Sequence, residues 1–154
     1  VCGAVVGSLI QASRTRKGQR WSNWAQHAHL LSVLEQHAGS AVLLRCLRVY
    51  SAEDIAGVIN HFSFESAVPG ETVLALLRMS SSARIGTAIR ECVMFPGKAI
   101  SGRLSDHYQQ RLAEVVPLQS AANGPRISAW ARETVRSLKA LVKHGREIDE
   151  EHSH

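Results

Sequence analysis

Apolar residues along this chain recur at intervals of three and four, and the strict apolar/polar alternation of half-buried strands is missing. The pattern predicts helical regions at 21–39, 41–62, 71–95, 98–116 and 127–145, with an acidic tail over 146–154. In the first region Trp24, Ala28 and Leu31 share a face, and Gly39 supplies the stop. The second holds the nearly all-apolar "SAVLLRCLRVY" and then "SAEDIAGVINHF". There Ser51 is a candidate N-cap with Asp54 at the capping-box spacing, and Ile55, Ile59 and Phe62 fall together. Pro69-Gly70 then breaks the chain.

"ETVLALLRM" and "ARIGTAIRECVMF" read as two short helices split by a serine turn, the second burying Ile85, Ile89 and Cys92. Pro96-Gly97 ends it. Ile100, Leu104, Tyr108, Leu112 and Val115 make one stripe over 98–116, which Pro117 closes, and "QSAANGP" is the loop into the last helix. That helix carries two stripes. Ile127, Ala131, Thr134, Leu138 and Leu141 lie on one side with Trp130 at the edge, whereas Arg132, Arg136, Lys139 and Lys143 recur on the other.

Helical hairpins joined by short loops define an all-α class. The expected architecture is a HEAT-like α-solenoid fragment, with a compact helical bundle as the alternative. A faint internal echo points to repeats: Ser22-x-Trp24-Ala25 and Ser128-x-Trp130-Ala131 each open a helix, closed by Gly39 and Gly145. Residues 1–154 are read as a single segment of a longer chain. The apolar opening "VCGAVVGSLI" lacks a preceding basic region and is too short to span a bilayer, so it is expected to be a buried helix at a cut edge. A truncated membrane span flanked by Arg14 to Arg20 is the alternative.

The net charge of +5 is unevenly spread. Residues 1–20 contribute four cations and no acid, 98–144 eight cations against three acids, and 145–154 one cation against four acids. A uniform nucleic-acid coat is not what this describes. Cys2, Cys46 and Cys92 are odd in number and widely spaced, which excludes a C-x-x-C motif and a fully paired disulfide framework and suits a reducing cytoplasm. The 8 histidines form neither H-x-x-x-H nor H-E-x-x-H, and the carboxylates are dispersed. No metal, cofactor or enzymatic chemistry is therefore expected.

Three surfaces remain as candidates. "SRTRKGQRWSNW" sets Arg14, Arg16, Lys17 and Arg20 beside Trp21 and Trp24, a mixture of cations and stacking surface suited to single-stranded nucleic acid, or a basic loop leading into a core helix. Residues 71–92 read loosely as helix-turn-helix, with Arg84, Thr87 and Arg90 exposed on the second helix. The Arg132, Arg136, Lys139 and Lys143 stripe is either a solvated face, helped by the helix dipole, or a rail for a partner or for phosphates.

"MFPGKAISGRLSDHYQQRLAEVVPL", a loop, and "RISAWARETVRSLKALVKHGREIDEE" together resemble the C-terminal end of the helical-repeat regions of large bacterial multidomain proteins, notably STAND-type NTPases that act as antiphage or stress sensors. The resemblance covers residues 95–151 and implies an all-helical scaffold or sensor part. It brings no catalytic residue with it, since no Walker motif is present. The expectation is a cytoplasmic, non-enzymatic scaffold that binds protein partners, with a basic nucleic-acid-binding module as the alternative.

Overall fold

The computed structural model describes residues 1–15, 29–95 and 100–153. Trp24, Ala28, the Ser22 end of the internal echo and the Pro96-Gly97 break lie outside the described residues. Those described contain eight α-helices and no strand, the class the apolar spacing predicts. The helices are α1 (Cys2–Thr15), α2 (Leu30–Ala38), α3 (Ser40–Leu47), α4 (Ala52–Val58), α5 (Glu71–Met79), α6 (Ala83–Met94), α7 (Leu104–Val115) and α8 (Pro125–Glu151). None is both long and apolar enough to cross a membrane.

The chain falls into two compact units. Val1–Ser63 and Gly70–Ile89 form the first, Phe64–Pro69 and Arg90–His154 the second. In the first unit α1 packs against α3 and α4, α2 against α3, and α3 against α5. Its fully buried side chains include Ile10, Leu31, Leu43, Leu47 and Ile59. Gly39, at φ 87°, ends α2 and starts α3 within one residue, a left-handed backbone that glycine alone adopts without strain. Ser51 caps α4 as expected, its Oγ accepting from the Asp54 N–H at 3.2 Å. α5 begins at Gly70, which has no side chain to cap it. Glu35 of α2 reaches across instead, accepting from the Thr72 N–H at 2.9 Å and the Thr72 hydroxyl at 2.5 Å. A carboxylate there satisfies orphan donors and complements the helix dipole.

In the second unit α8 lies along α7 and against the turns at Val116–Gln119 and Ala121–Asn123. Ile127, Trp130, Ala131, Thr134, Val135, Leu138 and Val142 are buried, while Leu141 is only half-buried. Each large side chain so buried contributes about 1.5–3 kcal/mol of hydrophobic stabilisation.

Several boundaries move from their predicted places. α7 starts at Leu104, so Ile100 precedes it and is exposed. The buried face of α7 is Ser105, Tyr108, Arg111 and Val115, with Leu104 and Leu112 half-buried. On α6 the buried residues are Ile85, Ile89 and Val93, and Cys92 is half-buried. The acidic tail is mostly helix, because α8 runs through Gly145 to Glu151. Gly145 is not a stop. A Cβ there would sit 3.0 Å from the Ser105 nitrogen and 3.1 Å from its Cα, so glycine is what lets α7 and α8 approach this closely.

Candidate interaction surface

The two faces predicted for α8 are borne out in burial. Arg132, Arg136, Lys139 and Lys143 are all exposed, opposite the buried Ala131, Thr134 and Leu138. From the first cation to the last the rail spans about 16 Å at the helical rise per residue. Among the described residues none of these four is in an ion pair, and Arg132 is held by a hydrogen bond to the Ser128 hydroxyl at 2.8 Å. That hydroxyl donates in turn to the Gln119 carbonyl at 2.6 Å. The neighbouring acids have other partners: Glu133 pairs with Arg90 at 2.8 Å, and Glu147 sits 3.6 Å from His144.

The basic N-terminal cluster is divided. Arg14 is committed within the first unit, its guanidinium donating two hydrogen bonds, at 2.8 and 2.6 Å, to the Asp54 carboxylate. That pairing holds Asp54 down at about 2 and raises the Arg14 value, the hydrogen bond being the main cause of both. Arg16, Lys17, Arg20 and Trp21 lie outside the described residues.

The helix-turn-helix candidate keeps little of its expected exposed face. Arg84 is exposed but pairs with Glu53 at 3.0 Å, Thr87 is half-buried, and Arg90 is half-buried against Glu133. Among the described residues no group of three or more His, Cys, Asp or Glu side chains could hold a metal ion.

Two polar residues that the sequence did not single out organise the second unit. Arg111 is buried and donates to the Val93 carbonyl near the end of α6 at 2.9 Å and to the Phe64 carbonyl at 3.0 Å. Burial lowers its affinity for the proton, and Glu114 opposes that effect. Asp149 stands at the N-terminus of α7, accepting from the N–H groups of Leu104 and Ser105 at 3.0 Å each and from the Ser105 hydroxyl at 2.5 Å. Those bonds, the hydroxyl first, hold its carboxyl below the usual range. The sequence signals were present but ambiguous: an arginine three residues after Tyr108, and an aspartate in a charged tail.

A cleft of about 180 Å³ beside Asp149 is lined by Arg103, Ser105, Arg146, Glu150 and Ser153. It falls below the usual ligand-pocket range of about 300–1,000 Å³, and its central carboxylate is already engaged by α7. The exposed rail on α8 is the stronger candidate. The chain matches no family model, no curated protein and no solved structure.

Proposed function

We propose that the chain is a non-catalytic helical interaction module that engages an acidic protein surface through the basic face of α8. The observation that carries this reading is the row formed by Arg132, Arg136, Lys139 and Lys143, exposed and without ion-pair partners among the described residues. A surface of one sign speeds encounter with its opposite and selects against like-charged partners. The rail also lies on a helix whose other face is fixed by packing, so its charges are held in register. Of the two architectures open at the sequence level, the packing of α1 against both α3 and α4 favours a compact bundle for the first unit over stacked hairpins. The resemblance of residues 95–151 to the closing repeats of bacterial sensors suggests the setting of a larger scaffold or sensor protein in antiphage or stress response.

Fluorescence anisotropy with a labelled poly-glutamate peptide, a short DNA duplex and a single strand, each at low and high salt, tests the reading. The expected result is salt-sensitive binding of the acidic peptide, lost on reversing Arg136 and Lys139 to Glu. No peptide binding at low salt would end it. Nucleic-acid binding with a steep salt slope, flattened by the same reversals, would put a nucleic-acid module in its place.

A further inference from the structure

The cysteines take on a different character once the helices are folded together. α1 packs against α3 and α4 in a register that bonds Arg14 to Asp54 and sets Gly7 against the Tyr50 hydroxyl, and at the start of α1 the same register brings Cys2 to Cys46, 44 residues on in sequence. Both thiols are free and half-buried, so a small reagent reaches them. Cys92 is the contrast: it sits on α6, and burial, with Glu91 adding, pushes its thiol up to about 11. Once one of two thiols held close together carries a mixed disulfide, the other attacks it far faster than a thiol in solution does, because the encounter is intramolecular.

We propose that Cys2 and Cys46 form a redox-sensitive pair, a modification site at which a low-molecular-weight disulfide oxidises the two thiols to a bond tying α1 to α3. The thiolate of one cysteine attacks the small disulfide, its S–S bond breaks, and one small thiolate leaves. The second cysteine's thiolate then attacks the protein-bound sulfur, forming the Cys2–Cys46 bond and releasing the second small thiolate. Two electrons pass from the protein to the small disulfide, and the two protons end on the released thiols. Burial first, and the Cys46 side chain next, push the Cys2 thiol up, so the exchange accelerates with rising pH. The closed loop removes conformations from the unfolded chain, and the oxidised protein therefore melts at a higher temperature than the reduced one.

The test equilibrates the full chain in glutathione buffers of increasing oxidised-to-reduced ratio, quenches by alkylation, and maps peptides without reduction. The expected result is a Cys2–Cys46 linked peptide pair, lighter by two hydrogens, at ratios where Cys92 is still recovered alkylated. Under the same conditions a Cys46→Ser chain should retain glutathione on Cys2, since the resolving thiol is gone. Glutathione adducts on both cysteines without the internal link would overturn the proposal. So would a linked yield in the folded protein no greater than in the urea-unfolded chain, a comparison made on the wild-type sequence that does not depend on how the variant folds.

Discussion

Asp149, two residues from the end of α8, closes the start of α7 by accepting from both the N–H and the hydroxyl of Ser105. One turn earlier on α8, Gly145 faces the same Ser105 backbone so closely that a Cβ there would stand 3.0 Å from the Ser105 nitrogen. The two contacts depend on each other: the glycine permits the approach, and the carboxylate satisfies helix donors that approach would otherwise cut off from water. In an exposed helix Gly→Ala stabilises by up to about 1 kcal/mol. Here Gly145→Ala should reverse that sign and cost about 1–3 kcal/mol, the range for overpacking, because the obstruction is backbone that cannot swing aside. Urea denaturation reads the sign, and a stabilised Gly145→Ala protein would show that the close contact is absent.

The opposite faces of α8 make a contrasting pair. Leu138→Ala or Trp130→Ala should destabilise by about 2–5 kcal/mol through loss of buried surface and the cavity left behind. Arg136→Glu and Lys139→Glu, both exposed, should shift stability by less than about 0.5 kcal/mol each. Thermal melts of the four variants decide whether the buried and exposed faces are assigned correctly.

Arg111→Met keeps the bulk of the side chain and removes the donors that serve the Val93 and Phe64 carbonyls. Each buried carbonyl left without a partner costs about 1–3 kcal/mol, so this substitution should rank among the most damaging polar changes in the chain. Arg111→Lys should recover little, because a single ammonium replaces a fork that spans two acceptors. Equal stability of Arg111→Met and wild type in urea would contradict the bonding described.

Acid sensitivity should trace to two carboxylates. Asp54 titrates at about 2 in the folded protein, and the unfolded carboxyl at about 3.9. A depressed folded value means that the stabilisation is fully present above the unfolded value and is lost as pH falls through the window towards the folded one. Asp149, likewise lowered, acts in the same direction. Arg14→Gln should flatten the acid limb of a stability–pH curve measured by urea titration, and Asp149→Asn should flatten it independently. A curve that keeps its wild-type slope below about pH 4 in the double variant would place the acid-labile groups elsewhere.

What the sequence determined by itself is what depends on neighbours one to four residues away. Ser51 capping α4, Gly39 ending α2, and the apolar and basic sides of α8 all follow from local spacing, since a helix fixes which residues share a face before anything packs on it. What only the tertiary structure decided are the long-range polar contacts. The sequence marks Arg14 as one cation of a basic cluster, and its pairing with Asp54, 40 residues on, appears only in the folded chain. Gly145 reads as a helix stop until Ser105 is set against it, and Arg111, which no local spacing marks, is placed only by its two carbonyls. A glycine or a charged side chain is compatible with several environments, and the partner that selects among them is brought near only by folding. Apolar side chains carry no such ambiguity, because burial suits them wherever the helix face is covered.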